Sequence, residues 1–275
     1  MNKPMRVLSL GAGVQSTTLL YMAIEKEIEP FDAAIFANTG WEPRAVYEHL
    51  ERLKPVMEDA GIPLHIVASG NIRADALDPE HRFASMPIFV RNPDGSKGMG
   101  RRQCTSEYKM KPVLLKQREL IGLKPRQRSK AHLMDSIVGI SWDESQRMRD
   151  ATYPWMKNVY PLVDLRMTRD DCLRWMKEHG HDRPPRSACI GCPFRSQEQW
   201  IELRKSSEDD YQDAVDFDNQ IRDGYARNRG NFQGQAFLHR SMKPLQDVDL
   251  STEEERGIMS LFPGWEDECL GMCGN

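Results

Sequence analysis

Short apolar runs alternate with stretches of helical period along the first seventy residues. Met5–Leu10 (MRVLSL) is too short for a helix and reads as a buried strand; it leads into glycines and then a helical pattern from Gln15 to about Lys26. Phe31–Asn38 (FDAAIFAN) reads as a second strand and Pro63–Ser69 (PLHIVAS) as a third. Between them a helix is predicted from Arg44 to about Lys54, with Pro43 suited to its first turn and Pro55 ending or kinking it. This β-α-β-α-β order implies parallel strands, right-handed crossovers and helices on both faces. The predicted fold class is therefore α/β, a doubly wound and mostly parallel sheet with a helical C-terminal part.

The pattern loosens from Asn71 to Gly100, where Asn92-Pro-Asp-Gly95 is a turn signal and an excursion over a site is expected. A helix over Lys111–Ile121, a strand at Asp135–Ile140 and a short strand at Asn158–Leu162 follow. Thr168 is the expected N-cap of a helix over Arg169–His179, with Asp170 and Asp171 complementing its dipole. Residues 182–195 are rich in Pro and Cys and read as a loop. From Ser196 to about Tyr225 the chain is helical and acidic, and residues 267–275 form a tail with two cysteines. The coarse division is a core over 1–165 and a second region over 166–275. With no Pro/Ser-rich linker between them, one continuous domain is an equal reading.

Composition changes this picture in two ways. No run of eighteen apolar residues appears among the 275, and the first residues lack the basic-then-apolar pattern of a secretory leader. A cytoplasmic, membrane-free protein is the expectation, and there thiols stay reduced. Six cysteines then read first as core residues, metal ligands or reactive thiols. Charge is uneven as well: residues 101–130 hold ten Lys or Arg and two Glu, a net of +8 against −11 for the rest. Such a block suits an anionic ligand, or simply a solvated helix face.

The first candidate chemistry is the turn Ser9-Leu-Gly-Ala-Gly-Val-Gln-Ser-Thr17 between a strand and a helix. Glycines Gly11 and Gly13 let the backbone approach a ligand, and the free N–H groups opening the helix form an anion site, with the hydroxyls of Ser16 and Thr17 at hand. The Walker lysine and the dinucleotide Gly-x-Gly-x-x-Gly spacing are both missing. The turn resembles the PP-loop of N-type ATP pyrophosphatases and sulfonucleotide reductases. Ser9-Leu-Gly-Ala12 matches the reductase version best, while Gln15 replaces an acidic residue of the pyrophosphatase pattern. Asn38-Thr39-Gly40 stands where phosphoadenylyl-sulfate (PAPS) reductases carry Asp-Thr-Gly, with Tyr47 at a following aromatic position. Gly139-Ile-Ser-Trp-Asp-Glu-Ser-Gln-Arg147 and Tyr160-Pro-Leu162 resemble two later elements, with Ser141 where Arg is usual. The resemblance implies that Ser9, Gly11, Ala12, Gly13, Gln15, Ser16, Thr17, Asn38, Thr39, Gly40, Gly139 and Arg147 bind an adenine nucleotide, ATP or an adenylyl sulfate, with magnesium as an optional companion.

Cys189-Ile-Gly-Cys192 is a closely spaced pair in a loop, suited to converge on one metal or cluster. Cys104 lies 85 residues upstream, followed by Lys109 and Pro112. Cluster-containing sulfonucleotide reductases carry a Cys-Cys pair there, and here Thr105 replaces the second cysteine. The resemblance implies a [4Fe-4S] cluster on Cys104, Cys189 and Cys192, with Cys273 or Cys269 of the tail as fourth ligand or as nucleophile. Arg101, Arg102 and Lys109 are the anion candidates nearest Cys104. Cys172, beside Leu173 and Met176, reads as a buried structural thiol, and none of the seven histidines has metal-like spacing. Trp41 and Trp142 follow the nucleotide motifs, where core packing is the default and stacking the alternative.

Three functions are compatible with this pattern. One is ATP-dependent sulfur transfer to a nucleic-acid or small acceptor. Another is adenylyl-sulfate reduction by a tail cysteine with a thioredoxin-like reductant. The third is a non-enzymatic nucleotide-binding subunit of a DNA modification system. A homodimer is compatible with each.

Overall fold

The computed structural model describes residues 3–81, 86–124, 126–226 and 232–251. Five strands, β1 (Met5–Ser9), β2 (Ala33–Asn38), β3 (Leu64–Ala68), β6 (Met134–Val138) and β7 (Met156–Val159), form one parallel sheet in the order β3-β2-β1-β6-β7. Its strand pairings are parallel, with Ser9 opposite Ile35 on one side and Val138 on the other. The fold is α/β with a doubly wound parallel sheet.

The two-residue period of the strands sorts their side chains onto two cores. Leu8, Ala34, Phe36 and Ile137 face one core, joined there by Leu19 and Leu20 of α1 (Val14–Ile24) and Leu50, Leu53 and Met57 of α2 (Arg44–Asp59). Leu162 of α5 (Pro161–Asp164) and Cys172 of α6 (Arg169–Glu178) complete it. Val7, Ala33, Ile35 and Met134 face the other core, with Trp155, Leu123 and the apolar side of α4 (Lys111–Leu120). These elements belong to a compact unit of residues 1–38, 45–69 and 108–187.

A second unit comprises residues 39–44, 70–107 and 188–275. It holds α3 (Ile72–Leu77), an antiparallel sheet of β4 (Phe89–Arg91), β5 (Lys97–Met99) and β8 (Gln235–Phe237), and helices α7 (Gln197–Ser206) and α8 (Glu208–Gln220). Its centre is the buried carboxylate of Asp218, which accepts from the N–H groups of Leu238 (2.7 Å) and Leu245 (3.0 Å) and pairs with Arg222. Phe217, Phe237 and Trp200 are fully buried beside this framework.

Three local expectations change. Helix α2 runs through Pro55 to Asp59. The proline faces solvent beside an exposed Glu51, so water can serve the carbonyl it leaves unbonded, while Leu53 and Met57 anchor the helix from within. The strand expected to reach Leu162 stops at Val159, and Pro161 opens a short helix instead. The irregular stretch before Gly100 contains the β4–β5 hairpin, closed by the Asn92–Gly95 turn with Gly95 at φ +81°. Thr168 caps α6 as expected, in a reciprocal capping box with Asp171. No helix of the described residues is long and apolar enough to cross a membrane.

Candidate functional site

In the first unit, β1 and β6 are neighbours although their chain connections run to opposite sides of the sheet. Strand order reverses between them, and the crevice at such a switch point is where α/β sheets bind ligands. The glycine turn leaves the carboxyl end of β1 there. Ala12 takes a left-handed conformation (φ +55°), and Gly13 is an extended N-cap without a capping side chain. No acidic residue sits in the first turn of α1, so its positive end is uncompensated from within the helix. Gly139 follows β6, and a Cβ there would lie 2.9 Å from the Ser16 nitrogen. Only glycine lets β6 approach this helix start so closely.

The polar side chains around the turn are largely committed. Ser16 accepts from the Gly11 N–H (3.1 Å) and donates to the Gly13 carbonyl (3.3 Å), which shapes the loop. Thr17 is fully buried and its hydroxyl meets His49 Nε2 at 3.2 Å, so it braces α1 against α2 and faces no ligand. Burial, helped by the Arg52 charge, holds His49 down at about 4. Gln15 Nε2 donates to Glu144 Oε2 (3.3 Å), and Glu144 Oε1 pairs with Arg147 at 2.6 Å. Gln15 and Arg147, distant in sequence, are thus joined by Glu144, which lies inside the Gly139–Arg147 element but was not among the residues expected to bind. Ser187 is a second such residue: its Cβ lies 3.1 Å from where a Gly13 Cβ would stand. Ser141 carries a fully buried hydroxyl with no hydrogen-bond partner among the described residues. Asn38 accepts from the Tyr47 hydroxyl (2.9 Å).

Asn38 closes the first unit and Thr39 opens the second. There the Thr39 hydroxyl donates to the buried Glu42 (2.9 Å) and lies 3.3 Å from Cys189 Sγ, itself 3.7 Å from Glu42 Oε1. Gly40, at φ +75°, packs on Asn71, whose amide donates to the Gly40 carbonyl (3.0 Å). Trp41 is core: its indole donates to Asp213 (2.5 Å) and its ring packs on Phe217.

The cysteine loop is held through its backbone. Arg195, 4% exposed, donates to the carbonyls of Ile190 (3.1 Å), Ala188 (3.1 Å) and Cys189 (3.0 Å), with its guanidinium over Trp200. The Ile190 N–H donates to the Trp41 carbonyl (2.9 Å), and Cys192 closes a turn onto Cys189 (3.1 Å). A Cβ on Gly191 would fall 2.1 Å from the Trp41 ring, so indole packing dictates that glycine. Arg102 stacks over Phe194 at 5.2 Å and carries a buried Nε with no partner among the described residues. This contact brings the segment that holds Cys104 onto the loop. Cys104 itself immediately precedes a π-helical stretch, Thr105–Met110, which contains Lys109. Arg101 is exposed.

No protein-family profile and no curated protein matches this chain.

The three thiols are reduced and only partly exposed. Among the described residues, they do not bring three ligand atoms within 4.8 Å of one another. One zinc ion would need about 3.8 Å between sulfurs bonded at about 2.3 Å. A cluster attaches its thiolates to different irons and so accepts a wider set. The donor chemistry and the unpartnered Arg102 Nε fit such an anionic group, and Cys189 would have to give up its contacts with Thr39 and Glu42, and any thiol proton, to bind it. Cys269 and Cys273 lie outside the described residues. Cys172 is wholly buried, and burial pushes its thiol up to about 12, which suits a core residue. The basic block is not one face: Arg118 is turned onto the carbonyls of Lys124 (2.6 Å) and Gln127 (2.9 Å), and Lys116 pairs with Glu119.

Proposed function

We propose that this protein is an adenine-nucleotide enzyme of sulfur metabolism, similar to the PAPS-reductase group, that transfers sulfur to an acceptor at the expense of ATP. The observation that carries the reading is the uncapped start of α1 at the β1/β6 switch point, where Gly139 abuts Ser16. An anion is the natural occupant of such a helix end. Backbone N–H groups from Gly13 onward would hold phosphate oxygens, and Ser141 would find its missing partner in the ligand. Arg147 and Gln15, both tied to Glu144, would set the position of the nucleotide's charged end.

In this chemistry an acceptor oxygen attacks the α-phosphorus of ATP and pyrophosphate leaves. Hydrosulfide from a donor then displaces AMP from the acceptor, so the C–O bond breaks as the C–S bond forms. The fixed N–H groups stabilise charge developing on the phosphates without reorganisation. Cys104, Cys189 and Cys192 would hold a [4Fe-4S] cluster, which when bound supplies a place for sulfide or electrons. Arg195 keeps the loop's backbone in shape, and Arg102 offers positive charge beside it.

The test is calorimetric titration of anaerobically purified protein with ATP and with adenylyl sulfate, together with iron and sulfide analysis. Binding of ATP with pyrophosphate release in the presence of acceptor and sulfide supports the reading. A sulfonate adduct on Cys269 or Cys273 after adenylyl sulfate alone would establish sulfonucleotide reduction instead. Absence of binding by any adenine nucleotide would remove both.

A further inference from the structure

Helices α1 and α6 end in the same way. In each, the residue two past the cap donates its N–H back to the carbonyl five residues earlier: Glu27 to Met22 (2.9 Å) and His181 to Met176 (2.8 Å). In each, the residue between is left-handed, Lys26 at φ +65° and Gly180 at φ +75°. Glycine adopts that conformation freely, but a lysine is strained there. The two turns therefore project Glu25 with Glu27 and His179 with His181. The four side chains meet. His179 Nδ1 lies 2.5 Å from Glu25 Oε2, His179 Nε2 3.6 Å from Glu27 Oε1, and His181 Nε2 2.7 Å from Glu25 Oε1.

Two carboxylates beside two helix C-termini concentrate negative charge where the helix dipoles favour a cation. His179 has a carboxylate at both ring nitrogens. The rings are also clamped: Trp175 stacks on His179 (centroids 4.0 Å apart) and Tyr21 on His181 (3.7 Å). Trp175 Nε1 donates to Glu27 Oε2 at 2.9 Å, which leaves Oε1 turned toward His179.

We infer that Glu25, Glu27 and His179 form a binding site for a divalent metal ion of the zinc class, with His181 and Trp175 as positioning residues. One ligand atom from each of the three lies within 4.8 Å of the other two. Bonds of about 2.0–2.2 Å would draw them to roughly 3.3 Å apart, a small rotamer adjustment. An imidazole with two carboxylates is a donor set for zinc or a similar borderline metal. The side chains are 30–39% exposed, so water can take the remaining position. The ion would clip the end of α1 to the end of α6, on a site independent of the cysteines.

The experiment is zinc titration of the chelator-treated, reduced full-length protein by calorimetry, beside His179→Asn, Glu27→Gln, Trp175→Phe and Cys189→Ser variants. His179→Asn and Glu27→Gln should each lose one zinc equivalent that Cys189→Ser keeps. Trp175→Phe, which keeps the stacking and loses the N–H, should weaken that equivalent about tenfold. Glu27→Gln retains an oxygen for Trp175, so it reports even if His179→Asn fails to fold. Equal zinc stoichiometry and affinity in wild type, His179→Asn and Glu27→Gln would overturn the site and leave an ion-paired latch.

Discussion

The glycine turn of the first unit and the cysteine loop of the second hold their chemistry in opposite ways. At the turn no side chain caps the start of α1, and the side chains of Ser16 and Thr17 are bound within the protein. At the cysteine loop the backbone is the bound part, its carbonyls taken by Arg195 and an N–H by Trp41, and the thiols are the candidate ligands. A backbone site depends on where side chains are missing. A side-chain site depends on whatever fixes the loop beneath it.

Arg195→Ala should therefore be the most damaging change. It strands three carbonyls around a buried position and is expected to cost about 3–4 kcal/mol, with loss of metal or cluster at the loop. Thermal unfolding and iron analysis check this, and an unaltered iron content would break the contrast. Gly191→Ala acts on the same loop by pressing on Trp41, at about 1–3 kcal/mol. Iron content should fall while calorimetric nucleotide affinity stays at the wild-type value; a parallel fall in both would show that the two regions are one device.

Gly139→Ala is the reciprocal probe. Its Cβ would push against the Ser16 nitrogen, so nucleotide affinity should drop about tenfold, or ~1.4 kcal/mol, with the cysteine loop unaffected. Ser141→Ala sharpens the comparison, because it removes a buried hydroxyl that lacks a partner. The ligand-free protein should gain about 1 kcal/mol in urea unfolding, and nucleotide binding should weaken.

Acid should act on both units alike, and most gently. Burial holds His49 in one unit and His239 in the other at about 4, against about 6.5 when unfolded. Between those values the unfolded chain binds protons that the folded chain refuses. Stability contributed by these groups is thus fully present above about pH 6.5 and declines as pH falls toward 4. Urea midpoints measured across that window, with His49→Gln flattening part of the slope, test the sign.

What the amino-acid order determined by itself is local or periodic. The alternation of apolar runs and helical stretches contains the doubly wound sheet. Gly11-Ala-Gly13 marks the turn, and Thr168 with Asp171 marks a capped helix. Each rests on residues within a few positions of one another, where period, backbone freedom and capping act directly. Only the tertiary structure decided the rest. Strand order puts β6 beside β1 and so explains Gly139. Thr17 turns from the expected phosphate to His49, Arg195 takes the loop's carbonyls, and Glu144 joins Gln15 to Arg147. His179 and His181 lacked metal-like spacing along the chain because their partners, Glu25 and Glu27, lie some 150 residues away. Which distant side chain satisfies a buried group depends on how the elements cross, and no local pattern records that.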